Sequence, residues 1–172
     1  MQIAPDIAFA VNLLARHSAK PTQHHWIGVK NIFRYLNGTK DLGLFFKKIL
    51  DPNMIGYTDA GYLSDPHNGK SQIGFVFLHG GTAILWKSSK QTLTTTFTNH
   101  SAIFALYEAS HECVWLRRVI NHIQQSCGIG SIESPTIIYE DNSACVTQMQ
   151  TCYIKSNITK HIAPKLFYPH EL

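Results

Sequence analysis

Two strand-like apolar runs, separated by roughly eighty residues, each end in an aspartate. Met54-Ile55-Gly56-Tyr57 leads through Thr58 to Asp59, and Thr136-Ile137-Ile138-Tyr139 leads through Glu140 to Asp141. If the two runs lie side by side in one sheet, their ends present two carboxylates to the same solvent-facing rim. Paired carboxylates of this kind share divalent cations, the requirement for metal-assisted phosphodiester chemistry. The pattern by itself also fits two unconnected loop aspartates, so the residues around them have to decide.

The remaining periodicities supply that context. Pro5-Asp6 opens a first helix with Ile7, Val11 and Leu14 on one face. Lys20-Pro21-Thr22 breaks the chain, and Trp26, Val29, Phe33 and Leu36 form a second apolar stripe ended by Asn37-Gly38. Gly43-Leu44-Phe45-Phe46 reads as a short strand, and Asp51-Pro52-Asn53 as a boundary. Two helices and one strand bury too little to fold alone, so residues 1–52 are expected to lean on something else. After Asp59, residues 60–70 read as a loop. Ile73, Phe75 and Phe77 alternate as a second strand, Gly80-Gly81 turns, and Ala83 to Trp86 make a third. A long helix is predicted from Thr98 to Gln124, carrying Ile103, Leu106, Cys113, Leu116, Ile120 and Ile123 at helical spacing. Asn142 then caps a short helix after the fourth strand. The expectation is an α/β mixed sheet, three antiparallel strands and then a parallel one, with a long helix packed on it and a small helical appendage in front.

Composition narrows the function classes. A net charge of +4 permits contact with a phosphate backbone without demanding it. Cys113, Cys127, Cys145 and Cys152 have no Cys-x-x-Cys spacing and are read as isolated thiols in a reducing compartment. No apolar run approaches the ~20 residues of a membrane span. The start, Met-Gln-Ile-Ala-Pro-Asp, has neither a basic n-region nor an apolar h-region. The chain is therefore expected to be intracellular, cytoplasmic or nuclear, and the sequons at Asn99 and Asn157 carry little meaning.

Several segments, in order along the chain, resemble one family. They are Asp6-Ile7-Ala8-Phe9-Ala10-Val11-Asn12, His25-Trp26, Phe33-Arg34-Tyr35-Leu36-Asn37-Gly38-Thr39 and Trp86-Lys87-Ser88-Ser89-Lys90-Gln91, followed by Glu112-Cys113-Val114-Trp115-Leu116-Arg117, Tyr139-Glu140-Asp141-Asn142 and Thr159-Lys160-His161-Ile162. Together they resemble the Pol polyprotein of Copia-type long-terminal-repeat retrotransposons. The resemblance implies that residues 1–52 are the tail of a reverse transcriptase, from its thumb or connection region, and that residues 53–172 are its ribonuclease H domain. That activity cuts the RNA strand of an RNA–DNA hybrid with two Mg²⁺ ions, and the rest of a reverse transcriptase would be the partner. Asp59 resembles the bridging ligand and Asp141 the ligand from the fourth strand. Gly61, Tyr62, Lys90, Gln91 and Asn142 stand beside them as substrate contacts, and His161 is read as a structural histidine, with proton transfer as the lesser alternative. No Tyr-x-Asp-Asp occurs, so no polymerase activity is expected.

Departures from the family pattern are specific. Where the family places a glutamate on the first turns of the long helix, this chain has Ala102 within Asn99-His100-Ser101-Ala102-Ile103. Glu108 is roughly 9 Å further along the axis and Glu112 roughly 15 Å, so neither substitutes, and both read as exposed helix charges. The family also continues past Thr-Lys-His-Ile into a last strand and helix bearing another acidic ligand. Leu172 arrives before those are complete, and Ala163 stands where many relatives are acidic. Ribonuclease H activity is thus expected to be impaired, the alternative being an inactive nucleic-acid-binding remnant. An integrase-like reading would need Glu171 as its third acid, but Trp86–Gln91 and Cys113–Arg117 match the ribonuclease segment. His24-His25 is not a metal pair, because adjacent helix residues point apart.

Overall fold

A computed structural model describes residues 4–48, 53–65, 69–128, 130, 134–151, 164–165 and 168–170. Helix α1 (Ala8–Ala15) and helix α2 (Gln23–Gly38) come first. Three strands follow, β1 (Met54–Asp65), β2 (Lys70–His79) and β3 (Thr82–Lys90), then the long helix α3 (Thr98–Ser126), strand β4 (Ile137–Glu140) and helix α4 (Ser143–Thr151). A single 3₁₀ turn covers Tyr168–His170.

The sheet order is β3-β2-β1-β4. β1 and β2 are antiparallel, as are β2 and β3, whereas β4 joins β1 in parallel after the α3 crossover. Gly80 and Gly81 form the β2–β3 turn with φ of 56° and 80°, angles that a side chain would strain. β1 runs on through the segment read as a loop, with a register shift between Gly61 and Asp65 and Leu63 at φ 50°. Such an irregularity hides a strand from an alternation test, because the period-2 pattern is lost where the ladder slips.

One face of the sheet makes the core. Ile73, Phe75 and Phe77 on β2 and Met54 on β1 pack against Ala102, Ile103, Ala105, Ala109, Cys113 and Leu116 of α3. Small residues at Ser101, Ala105 and Ala109 recur every fourth position, so this stripe of α3 lies close to the strands. The burial stops at Leu116, and Ile123, expected within the apolar stripe, is exposed.

Gly43–Phe46 is not a strand. The segment is without regular structure and Phe45 and Phe46 are exposed; only the Phe45 carbonyl is held, by the Thr82 hydroxyl at 2.7 Å. An apolar run forms a strand only where a partner edge takes its backbone hydrogen bonds, and no strand pairs with it among the described residues.

The N-terminal helices lean on β3. Asn12 of α1 accepts from the Gln72 amide at 3.0 Å, and that amide also reaches the Ser88 hydroxyl at 2.8 Å. Arg16 and Lys90 both pair with the buried Asp65 carboxylate, at 3.4 and 2.8 Å. α2 then packs on α1 where Gly28 meets Leu14, a contact a Cβ would crowd at 2.9 Å. His25 serves the local fold: its Nδ1 accepts the Thr22 backbone N–H at 3.1 Å at the start of α2, and its ring stacks on His17 at 3.9 Å.

Candidate active site

The parallel β1–β4 pair brings the two aspartates together. Thr58 is in register with Glu140, so Asp59 and Asp141 are each the next residue, on strands about 4.8 Å apart. Two residues back, Tyr57 and Tyr139 stack with ring centroids 5.3 Å apart, so on each strand the tyrosine and the aspartate that follows project to one face of the sheet. Both aspartates are exposed, Asp59 midway along β1 and Asp141 just past the end of β4. Asp59 and Gly61 also line an open groove of about 630 Å³ whose opposite wall includes Asp6, Ala8 and Phe9 from the start of the chain.

Glu140, to which the sequence reading gave no role, is the third carboxyl here. It is partly buried, its Oε1 accepts the Asn142 backbone N–H at 3.2 Å, and its Oε2 is buried with no hydrogen-bond donor among the described residues. Burial raises its pKa to about 7, the Asn142 N–H works against that, and the charges of Asp141 and Asp59 push it up further. The legible signal was the Glu140-Asp141 dipeptide itself: neighbours on a strand point to opposite faces, so one of the two acids had to turn inward. Cys145 lies against the same group and its thiol is pushed up to about 12, chiefly by burial and then by Glu140, which leaves it unreactive.

The other expected contacts divide. Tyr62 donates its hydroxyl to the Thr96 carbonyl at 2.9 Å, tying β1 to the segment before α3. Lys90 is committed to Asp65, and Gln91 is only 2% exposed, its amide donating to the Ser101 carbonyl at 2.9 Å. The Asn142 side chain caps α4 through the Cys145 N–H at 2.9 Å. Of these five residues, only Gly61 lines the groove with Asp59. Ala102 is 2% exposed on the first turns of α3 and packs in the core. Glu108, read as a solvated charge, instead pairs with Lys87 at 3.2 Å, so it is not available to the strand ends. His161, Ala163, Cys152 and Glu171 lie outside the described residues.

The donor set suits a hard divalent cation. Asp59 and Asp141 offer oxygen ligands, and the undonated Glu140 oxygen marks a place where positive charge is missing. Among the described residues no three Asp, Glu, His or Cys side chains converge as a preformed cage. Mg²⁺ does not need one, since it commonly takes one or two carboxylates and keeps water and substrate phosphate for the rest.

Comparison with known proteins agrees with the fold and the motifs. The chain is 32% identical over 168 residues to the retrovirus-related Pol polyprotein of transposon TNT 1-94 from Nicotiana tabacum, covering 98% of this chain and 12% of that protein. It is 30% identical over 159 residues to the Pol polyprotein of transposon RE2 from Arabidopsis thaliana, covering 92% and 10%. The chain is homologous, along nearly its whole length, to a segment of retrovirus-related transposon Pol polyproteins. It spans about a tenth of the length of these polyproteins. A secreted RxLR effector protein 161 of Plasmopara viticola is 34% identical over 112 residues, covering 65% of this chain and 79% of that protein. Among solved structures, a ribonuclease H1 isolated from compost superposes with TM-score 0.50 at 22% identity, covering 70% of this chain and 77% of that one. No family model matches the sequence. The transposon Pol segment thus has a ribonuclease H-like fold, and no helix among its described residues is long and apolar enough to cross a membrane.

Proposed function

We propose that this Pol segment acts on RNA–DNA hybrids as a ribonuclease H-type, Mg²⁺-dependent nuclease whose turnover is impaired by Ala102. The observation that carries the reading is the adjacency of Asp59, midway along β1, and Asp141, just past the end of the parallel strand β4, on a sheet of ribonuclease H type. Asp59 and Asp141 would hold the divalent ion. Once bound, the ion supplies a water of lowered pKa and stabilises the charge that develops on the leaving 3′-oxygen. The chain's own residues position the site: Tyr62 ties β1 to the Thr96 segment, and Gly61 lines the groove beside Asp59. Glu140 adds negative charge when ionised and holds a proton when not. Removing one well-placed electrostatic group commonly costs ~10²–10³-fold in rate, so Ala102 accounts for a loss of at least that size. Residues 1–52 on this reading are the end of a reverse transcriptase, whose remainder would be the partner.

The test is cleavage of a labelled RNA–DNA hybrid in Mg²⁺ and in Mn²⁺ by the chain, by Asp59→Asn and by Ala102→Glu. Weak cleavage by the chain, lost in Asp59→Asn and raised in Ala102→Glu, is the expected result. Cleavage that survives Asp59→Asn would remove the two-aspartate site from the chemistry.

A further inference from the structure

Side-chain rows across the sheet meet in a hollow at Gly74. The ladder sets Tyr57, Val76 and Trp86 in one row across β1, β2 and β3, and Asp59, Gly74 and Ser88 in the next row on the same face. Gly74 holds the centre of that second row. A Cβ built there would meet, within 4 Å, only the Asp59 carbonyl oxygen at 3.9 Å, so the space above it is open. Gln72, in the third row, borders the same gap. The start of the chain roofs it, with Asp6, Ala8 and Phe9 lining this groove of about 630 Å³. That volume suits a small ligand.

Acceptors dominate the polar groups around the hollow. Gln72 is 3% exposed, and its Nε2 donates to Asn12 at 3.0 Å and to Ser88 at 2.8 Å. The Asn12 oxygen also takes the Arg16 guanidinium at 3.5 Å, which fixes which end of the Gln72 amide faces it. The Gln72 Oε1 is left buried with no donor among the described residues, a cost that an incoming N–H would relieve. Asp59 lines the groove as an exposed carboxylate, and Asp6 uses one oxygen on the Tyr35 hydroxyl at 2.6 Å. Lys87, which also lines the groove, is paired with Glu108 at 3.2 Å. Two acids and an unsatisfied amide oxygen repel a phosphate and favour a cation that carries N–H groups. The aromatic wall of Tyr57 and Trp86 narrows the class further. A flat, weakly hydrated cation stacks on rings, whereas an ammonium keeps its water.

We propose that this groove is a guanidinium-binding site, taking an arginine side chain or a small free guanidine. The planar cation sits over Gly74 against Tyr57 and Trp86, and its aliphatic stem runs beneath Phe9. Its flat fork of N–H donors serves the Asp59 carboxylate on one side and the Gln72 Oε1 on the other. Asp59 is also the carboxylate that the nuclease reading gives to a divalent ion, so the two ligands compete and a bound guanidinium opposes metal loading. The guanidinium site itself does not rest on the nuclease reading, because it needs neither Asp141 nor a metal.

The experiment is an NMR titration of the full, isotope-labelled chain in metal-free buffer, the spectrum itself reporting whether each variant is folded. The probes are butylguanidinium, its neutral isostere butylurea, and the peptide acetyl-Gly-Arg-Gly-amide. Butylguanidinium is expected to shift the Gly61 and Gly74 amides and the Trp86 indole saturably, with a Kd on the order of 1 mM for a ligand of this size. Butylurea should bind more than about tenfold more weakly, having lost the charge-assisted bond to Asp59. Gly74→Val fills the hollow without a close contact and should weaken butylguanidinium more than about tenfold. Asp59→Asn should weaken it at least about fivefold, whereas Asp141→Asn, outside the groove lining, should bind as the parent does. Tighter binding of the peptide than of butylguanidinium assigns the site to an arginine side chain, and equal binding assigns it to a free guanidine. Equal binding of butylurea, unchanged affinity in folded Gly74→Val, or the lack of any saturable shift would overturn the proposal. Guanidinium binding by a chain that cleaves no hybrid would leave this proposal standing and sink the nuclease reading alone; cleavage without guanidinium binding would do the reverse.

Discussion

Two residues on the β1–β4 strand pair, Gly56 and Glu140, have environments that make sharp predictions. Gly56 sits where Phe77 crosses β1: a Cβ there would lie 2.6 Å from a ring carbon of Phe77, which is completely buried, and 3.2 Å from Ile138. The crowded group is a core ring with nowhere to go, unlike the free end of Leu14 at Gly28. Gly56→Ala is therefore expected to destabilise the fold by about 1–3 kcal/mol, read from the urea midpoint, even though alanine ordinarily favours a strand over glycine. Glu140 gives a pH signature. Its carboxyl titrates near 4.5 when unfolded and about 7 when folded, so between those values the folded state binds more protons. Stability from this group is greatest at low pH and falls as pH rises through that window, the penalty being complete above about 7. Glu140→Gln should abolish that slope, gaining on the parent at pH 7.5 and losing the advantage by pH 4.5. An equal pH dependence in both proteins would show that burial and the neighbouring aspartates leave the group unperturbed.

At the scale of elements, the caps and the crossover decide where the site chemistry can happen. Asn142, two residues past the end of β4, starts α4, its side-chain oxygen taking the Cys145 N–H. Asn142→Ala should cost about 1 kcal/mol in stability by thermal unfolding. Because the same turn carries Glu140 and Asp141, divalent-ion affinity measured by calorimetry should weaken alongside it; a loss of stability with unchanged affinity would mean the turn does not set the position of the carboxyls. α3 is legible in sequence as a long apolar stripe, yet its full burial ends at Leu116, with Ile120 still packed on the core and Ile123 exposed. The periodicity of Ile123 spoke for a helix but was silent on what lay beneath it.

For the molecule as a whole, the attachment of the N-terminal helices to the sheet turns on one buried carboxylate. The Asp65 side chain is 5% exposed and faces the Arg16 guanidinium from α1 and the Lys90 ammonium from β3. Removing the acid strands two cations in a dry place, a defect that typically costs 3–5 kcal/mol, or about 3 here because Lys90 retains access to water. Asp65→Asn is expected to lower the overall midpoint by that amount and to raise hydrogen exchange in α1 more than in α3. Equal exchange in the two helices would mean that α1 is held by its apolar contacts and the Asn12–Gln72 bond instead.

Local patterns determined much of this protein. Alternation at Ile73, Phe75 and Phe77, the Gly80-Gly81 turn, the helical stripe from Ile103 to Leu116 and the strand runs leading to Asp59 and Asp141 are all consequences of side-chain period, and the order of those elements already implied a mixed sheet with a parallel fourth strand, although not that the first strand runs on to Asp65. Charge bookkeeping likewise needed no coordinates. Tertiary structure alone decided which polar groups are spent internally. Lys90 and Gln91 look available in sequence but are consumed by Asp65 and Ser101, Gly43–Phe46 looks like a strand but finds no ladder, and Glu140 looks like a neighbour of Asp141 but is the carboxyl that burial keeps protonated up to near neutrality. The reason is physical: period and propensity are properties of a segment, whereas hydrogen-bond satisfaction and desolvation belong to pairs of groups that meet only when the chain has folded.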